Sequence, residues 1–266
     1  MITAAELPAA SPEHGLITFE QPLTERMRTF LRVEFLYGQT LFHIDEPTEY
    51  SSRAAVTALL EVLTILGRGD VRSDVIKELE RHSGILARYR SQPGVDPNRL
   101  TGLIENIDDL RQQLAEAGPH LINPLKECDF LNTIRHRSAI PGGTCMFDLP
   151  DYGYWLHLPP QERRRQLGDW TGRLRPICDA VAEMLWLTRE ATESADQVAP
   201  GGLFQHGFDR SEQPSLVRVL LPADGGLFPE ISAGTHRFTI RFVRWRGVDA
   251  RPVQINQDVR FQLAIC

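Results

Sequence analysis

The stretch IPGGTCMFDLPDYGYWLHL, residues 140–158, divides a chain that reads as almost wholly helical before it. Thr144–Leu149 and Tyr152–Leu158 have the composition of strands, separated by the turn-forming pair Pro150-Asp151. Pro159-Pro160 then opens a helix, and strand-like text returns only after Gly201-Gly202. A strand pair at 140–158 needs partners from the C-terminal part of the chain, so the helix between must leave a sheet and come back to it. The expectation is an α+β fold. A mostly helical domain takes residues 17–137 and 160–200, and an antiparallel β domain takes 138–159 and 201–266. Each is built from two chain segments, after a disordered tail over residues 1–16.

Upstream, Ile17–Phe19 reads as a short strand or extended lead-in. Pro22 opens a helix to about Tyr37, with Met27, Phe30, Leu31 and Phe35 as its apolar stripe. Gly38–Tyr50 reads as a loop, and Ser51 and Ser52 are N-cap candidates for Arg53–Leu66. Asp70 caps a helix to about Tyr89, and Asp96-Pro97 starts another that runs to Ala117 before Gly118-Pro119 stops it. Leu100, Leu103, Ile107, Leu110 and Leu114 alternate three and four apart. These two helices, joined by Gln92–Val95, form a coiled-coil-like αα-hairpin. Lys126–Arg137 is one more helix.

Downstream, Pro160 to about Ala191 is helical, with Pro176 expected to kink or split it, and Glu193–Gly202 is a linker. Ser215–Leu221, Thr235–Arg244 and Asp258–Ile265 read as strands. In Arg237–Phe242 the alternation buries Phe238, Ile240 and Phe242 and leaves Arg237, Thr239 and Arg241 on the open face.

Hydrophobic residues make up 42% of the 266 and charged residues 24%, an ordinary globular balance. A net charge of −6 argues against a general nucleic-acid binder, which carries a basic excess. Lys77 and Lys126 are the only lysines, so the cationic chemistry is almost entirely guanidinium, which grips carboxylates bidentately. Cys128, Cys145, Cys178 and Cys266 form no paired motif and read as thiols in a reducing compartment. The N-terminus lacks the pattern of a signal peptide, and Ala54–Leu66 is too short to span a bilayer. A cytoplasmic protein follows.

No nucleophile elbow, phosphate loop, zinc-protease or dinucleotide motif occurs. Pro141-Gly142-Gly143 is a tight turn before it is a phosphate cradle, and His136, His157, His206 and His236 lack partners at metal-ligand spacing. No catalysis and no cofactor are expected; an enzyme using His157 and Asp148 is the remote alternative. The arginines stand out instead: Arg28 and Arg32 on one helix, Arg135 and Arg137 before the dividing stretch, and Arg237 and Arg241 on a strand. Each could simply sit in a local ion pair, as Arg28 with Glu25, and exposed pairs are worth only about 0.2–1 kcal/mol. Together they could also form a patch for an acidic partner or, as an alternative, a nucleic-acid-binding module.

Several motifs add to this reading. FEQPL (residues 19–23) followed by RMRTFLRVEFL (26–36), GDVR (69–72), PGVD (93–96), IPGG (140–143), FDLP (147–150), WLHLP (155–159), PEIS (229–232) and RFTIRF (237–242) occur in order. With them the chain, from about Ile17 to Cys266, resembles the ZapD family of bacterial cell-division proteins; Phe204–Gln213 and Arg246–Gln257 diverge. The resemblance implies a helical domain plus a β domain. It implies a homodimer at the mid-cell division ring that binds the C-terminal tail of FtsZ, the tubulin-like division protein, and bundles its protofilaments, with neither nucleic acid nor membrane as a partner. The tail site it implies is a basic pocket between the two domains. Its arginines fall here on Arg28, Arg32, Arg237 and Arg241, with Arg68 and Arg135 or Arg137 as further candidates.

Overall fold

A computed structural model describes residues 15–92, 94–209, 214–234 and 236–266. The tail expected over 1–16 therefore lies, through residue 14, outside the described residues, and so does Pro93 in the expected hairpin link. The chain forms two compact units, one running to Thr29 and resuming over Leu187–Cys266, the other spanning Phe30–Trp186. The α+β class holds, but the helical unit is one continuous run and only the β unit takes two pieces of chain.

The β unit consists of two antiparallel sheets. In the first, β1 (Leu16–Pro22) pairs β4 (Leu216–Pro222), which pairs β8 (Val259–Ile265), which pairs β2 (Ala195–Ala199). In the second, β6 (Arg237–Arg244) lies between β3 (Leu203–Gly207) and β5 (Leu227–Ala233), and β7 (Val253–Gln254) also pairs β6. Val217, Val219, Phe238, Ile240, Phe242, Phe261 and Leu263 fill the core, so the alternation predicted for β6 is the one observed. The expected linker at 193–202 supplies β2, and β5 had no counterpart in the sequence reading; both are edge strands with few buried side chains and so carry little hydrophobic pattern. Glu20 on β1 sits opposite Arg218 on β4 in the register. Its carboxylate accepts from Arg189 Nε at 2.9 Å and Nη2 at 2.8 Å. Arg218 Nε lies 3.2 Å from Glu20 Oε1, close enough for an ion pair but without the alignment of a hydrogen bond.

In the helical unit α1 (Glu25–Asp45, in this unit from Phe30) starts later and runs further than expected. Pro22 completes β1, Thr24 Oγ1 accepts from the Met27 N–H at 3.1 Å, and the helix passes through Gly38 because Leu36, Tyr37 and Thr40 are buried around it. Packing thus outweighs the ~1 kcal/mol that an interior glycine costs relative to alanine. The buried stripe is Phe30, Val33, Leu36 and Tyr37, which leaves Phe35 outside it. α2 (Glu49–Leu66) is capped by Thr48, not by Ser51 or Ser52; the Thr48 hydroxyl accepts from Ser51 N–H at 3.0 Å.

α3 (Val71–Arg88) and α4 (Pro97–Ala117) form the predicted hairpin, capped by Asp70 and by Asp96. Val75 and Leu79 are buried on α3 and Leu100, Ile104, Ile107, Leu110 and Leu114 on α4. Ile104 takes the buried position expected of Leu103. α6 (Asp129–Ser138) is the helix expected over Lys126–Arg137, starting three residues later, and the short α5 (Asn123–Lys126) precedes it.

The strand reading of 140–158 is overturned. Residues 141–148 are a run of turns and bends, followed by α7 (Pro150–Leu156). Local bonds satisfy the backbone: Ile140 N–H to Arg137 O at 3.0 Å, Gly143 to Ile140 at 2.9 Å and Cys145 to Gly142 at 2.9 Å. No strand partner is needed. Tyr152, Trp155 and Leu156 bury at three- and four-residue spacing, and Trp155 stacks between Tyr152 and Trp170. Aromatic composition suggested a strand; the period was helical. α8 (Pro160–Glu190, in this unit to Trp186) is a single helix with Pro176 inside it.

Candidate functional site

The arginines singled out in the sequence divide between the two units. In the helical unit, Arg32 projects from α1 into a cleft of about 340 Å³ that it lines with Phe35, Leu36, Glu61, Thr64 and Ile65. Arg32 and Phe35 are one turn apart, so one helix face offers a guanidinium beside a phenyl ring that is 69% exposed. Glu61 supplies the one opposing charge in this lining. Arg68 is exposed just after α2. Arg135 and Arg137 are exposed in the last turn of α6, where the helix dipole favours cations.

In the β unit, Arg28 is half-buried in the first turns of α1 and its Nε lies 3.2 Å from Glu25 Oε1. Arg237 and Arg241 share the open face of β6 while Phe238, Ile240 and Phe242 are buried beneath. Arg241 Nε donates to Glu230 Oε2 at 3.0 Å, from its register partner on β5. Arg237 has no carboxylate partner among the described residues.

The local-pair explanation therefore accounts for Arg28, through Glu25, and Arg241, through Glu230. It does not account for Arg32, Arg68, Arg135, Arg137 or Arg237, none of which has an ion pair among the described residues. An exposed guanidinium without a partner keeps all its donors for an incoming carboxylate, and such charge-assisted forks are the strongest hydrogen bonds a surface can offer.

Sequence reasoning missed the apolar side of these surfaces. The apolar spacing puts Phe35 in the buried stripe of α1, where the structure leaves it exposed. Phe147, 88% exposed, and Tyr154, 71% exposed, fall in the two segments expected as strands, which fold as turns and as α7. A strict stripe of Phe30, Val33, Leu36 and Tyr37 would have set Phe35 apart; no signal in the sequence distinguishes Phe147.

A family profile described as "ZapD: Cell division protein" matches residues 31–241. A relative from Methylococcus capsulatus described as "Cell division protein ZapD" is 35% identical over 250 residues, 94% of this chain and 98% of its own. One from Chromobacterium violaceum with the same description is 36% identical over 251 residues, 94% of this chain and 99% of its own.

Proposed function

The chain belongs to the ZapD family of cell-division proteins, and from that premise we propose that it binds the C-terminal tail of FtsZ and cross-links FtsZ protofilaments as a homodimer at the division ring. The observation that carries this is the set of exposed arginines, Arg32, Arg68, Arg135, Arg137 and Arg237, without carboxylate partners among the described residues of a chain whose net charge is −6. In an acidic protein such cations suit an acidic ligand. Arg28 and Arg241 complete the set by exchanging their intramolecular carboxylates for those of the ligand.

A disordered tail loses conformational entropy when it binds. Micromolar affinity needs about 8 kcal/mol, which no single exposed arginine supplies. Several guanidinium forks and an apolar contact are required together. Bundling asks less of each site than of their number. A dimer carries two sites, and once one tail is held the second is captured at an effective concentration set by the geometry.

The test is co-pelleting with GTP-assembled FtsZ, full length and lacking its C-terminal tail. Bundles and co-pelleting with the full-length polymer alone are expected. Equal pelleting with both forms would move the contact off the tail. A shift of DNA or RNA at low salt, falling steeply as salt rises, would favour a nucleic-acid-binding module instead.

A further inference from the structure

The segment after α6 is a built platform. Its turn bonds continue with Asp148 N–H and Leu149 N–H to Cys145 O, at 3.1 and 2.9 Å. Arg53 on α2 pins it from outside: Nη1 donates to Thr144 O at 3.1 Å, and the guanidinium lies 5.1 Å from the centroid of the Tyr152 ring. Two glycines allow the close packing. A Cβ on Gly143 would stand 2.5 Å from Arg137 O, and one on Gly153 would stand 3.0 Å from Met146 Cγ.

This platform sorts its apolar side chains. Leu149, Tyr152 and Trp155 are buried at 4%, 2% and 5% exposure, whereas Phe147, Tyr154, Ile140 and Met146 stand at 88%, 71%, 51% and 50%. Single exposed hydrophobics are commonplace, but four large ones within fifteen residues on a hydrogen-bonded scaffold mark this segment as a candidate docking surface. Arg135, His136 and Arg137 lead directly into it, all exposed. The carboxylates of the segment are turned to local partners: Asp148 Oδ2 faces Cys145 Sγ at 3.7 Å and Asp151 Oδ1 accepts from Tyr152 N–H at 2.8 Å.

We infer that Ile140, Met146, Phe147 and Tyr154 are the apolar half of a peptide-docking surface whose basic half is Arg135 and Arg137. Its occupant is a peptide that carries a carboxylate beside a bulky apolar side chain. The inference rests on the tail-binding reading above and assigns this surface to the FtsZ tail. Charge argues against a second copy of the chain: an isologous contact puts two copies of the Arg135–Arg137 turn into one interface, while the segment's own carboxylates are already engaged locally. An acidic peptide meets it with opposite charge.

The experiment titrates a labelled peptide of the FtsZ C-terminal tail with the full chain by fluorescence anisotropy at low and moderate salt. Phe147→Ser is expected to weaken binding about ten-fold, the scale of one large apolar side chain returned to water, with an unchanged salt slope. Phe147→Leu retains most of the affinity. Arg137→Glu weakens binding and flattens the slope. The circular dichroism of Phe147→Ser stays that of wild type, because the side chain supports little of the fold; Tyr154→Ser on α7 gives an independent second reading with the same expected loss. Tail binding by wild type that both serine variants share unchanged would overturn the platform and leave the proposed function standing. No tail binding by wild type would overturn both. Dissociation of a dimer by Phe147→Ser with per-site affinity intact would make the patch a self-association face and overturn its assignment to the tail.

Discussion

Arg163 Nε donates to the Ser52 hydroxyl at 3.0 Å, tying the start of α8 to the first turn of α2. The same guanidinium donates to Leu156 O at 2.8 Å, Leu158 O at 2.5 Å and Pro47 O at 2.6 Å. At 5% exposure, with no carboxylate partner among the described residues, it serves as a hydrogen-bonding hub for three stretches of the helical unit.

Arg163→Met keeps much of the volume and removes every donor. The loss is expected to be several kcal/mol, since each buried acceptor left unsatisfied costs about 1–3 kcal/mol. Arg163→Lys should recover less than half, because one ammonium cannot reach forked acceptors as a planar guanidinium does. Urea unfolding of the three proteins measures this. A midpoint unchanged in Arg163→Met would mean that water serves these carbonyls equally well.

His82 lies on α3 at 5% exposure. Burial, and then the charge of Arg81, lower its pKa to about 4, against a partial opposing pull from Glu78. The unfolded chain binds the proton near pH 6.5, whereas the folded hairpin refuses it until about pH 4. Stability contributed by the neutral ring is complete above pH 6.5 and is lost as pH falls from there towards 4, by roughly 3 kcal/mol. His82→Leu should flatten the dependence in that window. Parallel slopes for wild type and variant in urea titrations at stepped pH would show that the ring is not shielded.

Much of this architecture is written locally. Asp70 and Asp96-Pro97 mark helix starts with short-range chemistry, and Phe238, Ile240 and Phe242 declare their face by strict alternation. Residues 150–156 misled because Tyr152, Trp155 and Leu156 have the composition of a strand and the spacing of a helix. The candidate arginines were legible as chemistry but their pairing was not. Whether Arg241 is engaged depends on Glu230, which sits on a strand that left little pattern in the sequence. The exposure of Phe35 and Phe147 is a property of packing, which composition does not carry.

In the β unit, Glu20 and Arg189 form a two-pronged pair with side chains only 20% and 18% exposed. Shielded geometry of this kind couples more strongly than an open surface pair. A double-mutant cycle with Glu20→Ala and Arg189→Ala is expected to return about 1–3 kcal/mol, against ~0.2–1 for exposed pairs. Added salt should barely reduce it, since a partly buried pair is screened less. A coupling near zero in chemical unfolding would mean that desolvation cancels the attraction.

Arg237 and Arg241 share the open face of β6 with Thr239 between them, yet they should not contribute equally to tail binding. Arg237 meets a ligand with all its donors unused among the described residues, whereas Arg241 must first give up Glu230. The exposed pair sets that cost at about 0.2–1 kcal/mol, while a hydrogen bond to a charged group returns about 1.5–3 kcal/mol. Arg237→Ala should therefore weaken the tail peptide ten-fold or more and Arg241→Ala by less. Glu230→Gln should tighten binding several-fold, because it frees Arg241 and removes a carboxylate that repels the ligand. All three side chains are exposed, so the fold should survive each change. Anisotropy titrations of wild type and the three variants rank them directly. Unchanged affinity in Glu230→Gln, with Arg241→Ala equally silent, would take Arg241 out of the site and leave Arg237 as the only contact on this strand.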